Sequence, residues 1–227
     1  METKKTNSKK RKTNRSLVLI SIILATFMSA VEGTIVSTAL PEIVGELGGF
    51  SLYSWVFSAY LLMNTVTVLI YGKLADLFGR KPVLLFGISV FMIGSLFAGF
   101  AWSMQSLIFF RLIQGFGAGA VTPIAMTVVG DIYSREERAK IQGYLSSVWG
   151  ISAILGPALG GFFVQYSSWS WIFWINIPLG LLAVCGLVFF FHEEVKRKKH
   201  KIDYLGAALI TGSITLSMYV FVEGGIR

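Results

Sequence analysis

The chain is a succession of long apolar runs separated by short polar links, and that pattern alone leaves few folds open. A helix needs about 20 mostly apolar residues to cross the hydrocarbon core, and within lipid every backbone polar group must be bonded internally. Seven stretches meet that requirement, at 17–39, 51–72, 83–103, 106–129, 139–163, 171–191 and 203–222. The links between them are short, so helices consecutive in sequence are expected as antiparallel neighbours. Only 14% of the residues are charged, against about a quarter in soluble domains. The expected fold class is therefore an all-α membrane protein.

The net charge of +8 raises the question of a nucleic-acid partner, and the placement of the cations excludes it. Eighteen of the twenty Lys and Arg fall in the N-terminal tail and in the links 73–82, 134–140 and 192–201. The intervening links, 41–50, 103–105 and 164–170, carry none. The positive-inside rule then puts the N-terminus and the basic links in the cytoplasm, so the basic surplus is topological. Trp55, Trp102, Trp169, Trp171 and Trp174 fall near the opposite span ends, as an interfacial belt requires, and only Trp149 lies deep in a span. The polar tail 1–15 leads into an apolar run too long for a cleaved signal, so the first helix is read as retained. The single cysteine, Cys185, forms no intrachain disulfide and no metal cluster, and is expected as a small buried apolar residue. Neither glycine run follows a strand, so no nucleotide cofactor is expected, and no nucleophile or metal spacing points to an enzyme.

Three links carry local signals. Gly72 to Pro82 reads G-K-L-A-D-L-F-G-R-K-P, with Asp76 and the cations Lys73, Arg80 and Lys81. Gly72 and Gly79 are expected to supply a tight turn, and Pro82 suits the first turn of the next helix. Ser134 to Glu137 has the spacing of a capping box. His192 to Lys201 reads as a solvated link.

Two charges lie well inside spans, Glu32 in the first and Arg111 in the fourth. At about 1.5 Å per residue, Glu32 lies about 6 Å and Arg111 about 10 Å outward of their span midpoints, so the two can meet directly or through water. Ionisable groups at that depth are costly and usually face a partner or a cavity. One reading is a fixed ion pair joining two helices. The other is a carboxyl that gains and loses a proton, since desolvation and a neighbouring guanidinium act on such a group in opposite senses. The fourth span sets Gly115 and Gly119 four apart, and the fifth sets Gly156 and Gly160 likewise, between Gly150 and Gly161. Small residues at that spacing let backbones approach closely in lipid, and Pro157 should kink the fifth helix. Tyr53, Phe57, Tyr60, Asn64 and Gln114 are candidates to line a cavity, or equally to face lipid.

Five segments together resemble proton-coupled drug exporters of the major facilitator superfamily. They are Val31 to Pro41, Gly72 to Lys81, Leu107 to Ala120 around Arg111, Gly150 to Gly161, and Trp169 to Pro178 (W-S-W-I-F-W-I-N-I-P), the last similar to the fourteen-helix EmrB/QacA subfamily. The resemblance implies a six-helix N-terminal bundle over 16–191, preceded by the basic tail 1–15. A basic link at 192–201 would then lead to a seventh transmembrane helix in 202–227, at the start of an inter-bundle region. It implies that Glu32 is the protonatable acid and that Arg111 assists proton movement. Asp76, Arg80 and neighbouring Gly72, Gly79 and Lys81 would form a cytoplasmic latch, with Asp131 as partner of Arg80. Gly150, Gly156, Pro157, Gly160 and Gly161 would shape an antiporter helix.

Implied partners are protons, lipophilic or cationic drugs, the lipid bilayer of the cell membrane and a second transporter half; no cofactor is implied. Glu32 stands where the commoner residue is Asp, and Ser170 where Arg is frequent. A facilitator needs two bundles with the path between them, so the expectation is the N-terminal half of such a transporter, inert by itself. Other readings are a facilitator importer of sugars or metabolites, which the fifth-helix glycines disfavour, and a seven-helix receptor, which the charge bias disfavours.

Overall fold

Several helices begin or end where a polar side chain or a glycine satisfies the free backbone groups. The computed structural model describes residues 13–193 and, beyond them, 212, 213, 216, 217 and 220. The tail 1–12 and, apart from those five positions, the expected seventh span lie outside the described residues. Among the described residues all regular structure is helical, with six spans long and apolar enough to cross a membrane.

Helix α1 runs Arg15–Leu47; the Asn14 side chain accepts from the Leu17 N–H at its start, and Gly48 ends it at φ +69°. Its 33 residues extend about 50 Å, well past the apolar stretch expected at 17–39. Hydropathy falls at Glu42 and Glu46, but the backbone hydrogen bonding continues through Pro41. A 3₁₀ turn, Phe50–Leu52, leads into α2, Tyr53–Phe78. Helix α3 is Arg80–Ala98. Helix α4, Met104–Ala118, opens on a Ser103–Ser106 capping box, and α5, Val121–Ile132, completes the fourth span after a break at Gly119 and Ala120. Helix α6, Arg135–Tyr166, opens on the Ser134–Glu137 capping box. The short α7, Trp171–Trp174, and α8, Asn176–Phe190, make the sixth span.

Two local expectations are corrected. The turn between α2 and α3 is Gly79 alone, at φ +98°. Gly72 lies inside α2 with open space around it, because the helix continues through Lys73 to Phe78 before it must reverse. Cys185 is exposed: the buried face of α8 is Asn176, Gly180, Ala183 and Leu187, a helical spacing that turns residue 185 outward beside Leu181, Leu182 and Phe189. Helix α6 is unbroken through Pro157.

Helix α1 is central, packed on α6 at one side and α8 at the other; α3 joins α8 to α4, and α2 packs on α4. In lipid these contacts depend on close fit rather than on excluding water, and glycines provide it. A Cβ on Gly160 would stand 2.9 Å from the Ile35 carbonyl oxygen of α1, and one on Gly156 would strike Thr34. Thr34 Oγ1 donates to the Ser152 carbonyl of α6 at 3.1 Å. On the fourth span, Gly115 and Gly119 abut the α2 carbonyls of Tyr60 and Asn64, and Gly117 abuts the α3 backbone at Phe91. The interior splits into two apolar clusters, one containing Met28, Phe91 and Leu187, the other Ile35, Leu107 and Phe173. Between them lies a polar layer.

Candidate functional site

That polar layer is built from five spans. Glu32 of α1 projects its carboxylate toward α4, where Arg111 and Gln114, three residues apart, share one helical face. Arg111 Nη1 donates to Glu32 Oε1, and also to Gln114 Oε1 at 2.7 Å. Its Nε donates to the Val56 carbonyl at 3.2 Å, and the guanidinium lies over the Tyr60 ring, 4.3 Å from the centroid. The second Glu32 oxygen, Oε2, accepts from Asn176 Nδ2 at 2.8 Å. Ser95 Oγ of α3 closes the ring, accepting from Gln114 Nε2 at 2.6 Å and from Asn176 Nδ2 at 3.1 Å.

Glu32, Ser95, Arg111, Gln114 and Asn176 are each 0% exposed, and Tyr60 is 4% exposed. A pair so fully removed from water is held by its remaining hydrogen bonds, and removing one partner alone typically costs about 3–5 kcal/mol. Three buried atoms of the layer have no partner: Arg111 Nη2, Tyr60 Oη and Asn176 Oδ1. Chemically, the arrangement is a carboxylate divided between a cation and an amide. A proton at Glu32 would compete directly with Arg111.

A second constellation lies where the basic links gather. Arg80 Nε stands 2.8 Å from Asp131 Oδ2, and Arg80 Nη1 stands 3.6 Å from Glu193 Oε1. The Nε–H is not aligned on the Asp131 carboxylate, so that contact is coulombic rather than a directed bond. Glu193 accepts from the backbone N–H groups of Arg80 and Lys81 at 2.9 and 2.8 Å, capping the start of α3. Lys81 Nζ in turn donates to the Val188 and Phe191 carbonyls at 2.9 and 2.5 Å, capping the end of α8. At the start of the link after α8 the Glu193 side chain is 11% exposed; the rest of that link, expected as solvated, lies outside the described residues. Asp76 is exposed and makes no ion pair among the described residues.

Of the remaining candidates, Tyr60 and Gln114 join the polar layer. Tyr53 is half-buried against Phe50, with ring centroids 6.1 Å apart, and Asn64 is half-buried. Gly156 and Gly160 sit at the α1–α6 contact, whereas Gly150 and Gly161 have nothing within 4 Å and Pro157 is exposed. Sequence reasoning missed Ser95, Asn176 and Glu193. The one available signal was Asn176, a lone amide in an apolar run.

The chain matches the family model described as Major Facilitator Superfamily over residues 22–221. It is 40% identical over 215 residues to "Multidrug resistance protein 3" of Bacillus subtilis (strain 168), covering 95% of this chain and 42% of that protein. It is 45% identical over 174 residues to "Multidrug transporter protein MdtP" of the same organism, covering 77% of this chain and 32% of that protein. A fungal "Efflux pump dotC" of Dothistroma septosporum is 40% identical over 220 residues, 93% of this chain and 37% of its own length. The chain therefore spans less than half the length of these relatives. Among solved structures, the human organic anion transporter MFSD10 (TETRAN) shares the fold at a TM-score of 0.72 and 17% identity, over 87% of this chain and 53% of that one.

Proposed function

The chain belongs to the Major Facilitator Superfamily, and from that premise we propose that it is the N-terminal bundle of a proton-coupled multidrug exporter of the fourteen-helix kind. It is a multi-pass membrane protein; we seat it in the cell membrane with the N-terminus in the cytoplasm, on the bias of its Lys and Arg. The path of such a transporter runs between two bundles, so the second bundle comes from a further segment or a partner chain. The names of the relatives, multidrug and efflux proteins, support drug export; lipophilic or cationic compounds are the proposed cargo.

The observation that carries this reading is the Glu32–Arg111 pair, wholly buried and shared among spans. While Glu32 is charged, it holds α1 to α4 through Arg111 and to α8 through Asn176. A proton entering from outside neutralises Glu32 and frees Arg111, which keeps the Gln114 and Val56 oxygens as acceptors. A cationic compound reaching the layer competes for the same carboxylate, so proton and drug exclude one another, as antiport requires. The close contact of Gly156 and Gly160 with Thr34, Ile35 and Thr38 of α1 gives a surface on which α6 can rock. The Arg80–Asp131 contact holds the inner ends of α3 and α5 together until the bundles part.

The test joins this chain to the remaining length of the Bacillus subtilis multidrug relative and follows a cationic dye in everted vesicles. Proton-driven dye movement is expected with Glu32 and lost in Glu32→Gln, while the unjoined chain in liposomes moves no dye. Undiminished proton-driven movement in Glu32→Gln refutes the coupling role. A variant that folds poorly but stays coupled identifies the pair as a fixed strut.

A further inference from the structure

We propose that Asn176 is the positioning residue that lets Glu32 exist in either protonation state inside the bundle, as donor to the carboxylate and acceptor from the carboxylic acid. This rests on the proton-coupled reading above and adds the group that makes it sustainable in a closed interior.

A carboxylate only accepts hydrogen bonds, whereas a carboxylic acid also donates one. A donor left unpaired at this depth is strongly unfavourable, so the site needs an acceptor ready for the new O–H. Arg111 cannot be it, because a guanidinium has no acceptor. Gln114 has one, but its Oε1 already accepts from Arg111, so the acceptor left free beside Glu32 is that of Asn176. Its Oδ1 is buried without a partner, while its Nδ2 serves both Glu32 Oε2 and Ser95 Oγ. Turning the amide over about its terminal torsion exchanges the two atoms: Nδ2 gives up Glu32 and Ser95 for the place Oδ1 held, so one end of the amide is unpaired before and after the turn. Oδ1 then faces the proton on Glu32.

Ser95 completes the exchange. Its hydroxyl now accepts from both Gln114 and Asn176, leaving its own proton free to rotate. After the amide turns, that proton donates to Asn176 Oδ1 while Gln114 goes on donating to Ser95. No bond breaks except hydrogen bonds, and the one bond formed is the Glu32 O–H, with its proton drawn from solvent. Asn176 begins α8 and Ser95 lies on α3, so the third and sixth spans register the protonation together with α1 and α4.

Infrared difference spectra of the purified chain in lipid nanodiscs, acid minus alkaline, test this without transport. A carboxylic acid band that is missing in Glu32→Gln reports Glu32. With asparagine side chains labelled in nitrogen (four residues: Asn7, Asn14, Asn64 and Asn176), an amide band is expected to shift in step with it and to stay still in Glu32→Gln. In Asn176→Leu the Glu32 acid band should move to higher wavenumber, as for an unbonded acid. In Asn176→Ser, whose hydroxyl can both donate and accept, it should remain near its original place. A Glu32 band that appears while the asparagine amides stay unchanged overturns the role of Asn176 and leaves proton coupling standing. That measurement uses the unaltered chain, so it decides even if Asn176→Leu fails to fold. No titrating band from Glu32 at any pH overturns the proton-coupled reading and this inference together.

Discussion

A Cβ at Gly115 would meet the Tyr60 carbonyl, and one at Gly117 the Phe91 backbone nitrogen. Neither neighbour can swing aside as a flexible side chain would, so Gly115→Ala and Gly117→Ala should each destabilise by about 1–3 kcal/mol. Gly161→Ala, with nothing within 4 Å, should stay within about 0.5 kcal/mol. Denaturant unfolding in detergent checks the contrast. The charges make a complementary case. Arg111→Met leaves Glu32 buried without its cation and should cost about 3–5 kcal/mol, whereas Arg111→Met with Glu32→Gln should cost less. A double variant whose cost equals the sum of the two single costs would show that the pair is not coupled. At this scale Glu32 and Arg111 were legible because a charge in an apolar run has few explanations. Ser95 was not: a hydroxyl can bond its own helix backbone, and nothing in sequence tells which face it occupies.

Helices α3 and α8 exchange caps. Glu193 takes the first N–H groups of α3, whose end also carries the favourable dipole for an anion, and Lys81 takes the last carbonyls of α8. Loss of such a cap typically costs about 0.5–2 kcal/mol. The Arg80–Asp131 contact is 29% and 45% exposed, and pairs of that kind contribute about 0.2–1 kcal/mol. Glu193→Ala should therefore destabilise more than Asp131→Ala, and hydrogen exchange in the first turn of α3 should rise in the former only. The reverse order would remove the exchange of caps from the account of this junction. Sequence showed the Ser134 capping box because its partners are three residues apart. It did not show Glu193, since that partner lies 113 residues from Arg80.

For the whole molecule, the proposed orientation puts the α5–α6 link inside and the α1–α2 link outside. In a Cys185→Ser background, cysteine at Ser51 should label on intact cells and cysteine at Glu136 only after permeabilisation; the opposite pattern would invert the bundle. In the unaltered chain Cys185, exposed on α8 beside Leu181, Leu182 and Phe189, should react with a lipid-soluble maleimide and not with an impermeant one.

The sequence by itself determined the helical class, the six spans described here and the two interior charges, because each depends on transfer free energy, a property of residues near one another in the chain. Only the tertiary structure decided that Asn176 and Ser95 share Glu32 and Arg111, that Glu193 closes α3, and that Cys185 faces outward. Those outcomes turn on which helix faces meet. In lipid that is settled by backbone approach at glycines such as Gly94, Gly117 and Gly156, and close fit between distant segments leaves no periodic mark in either of them.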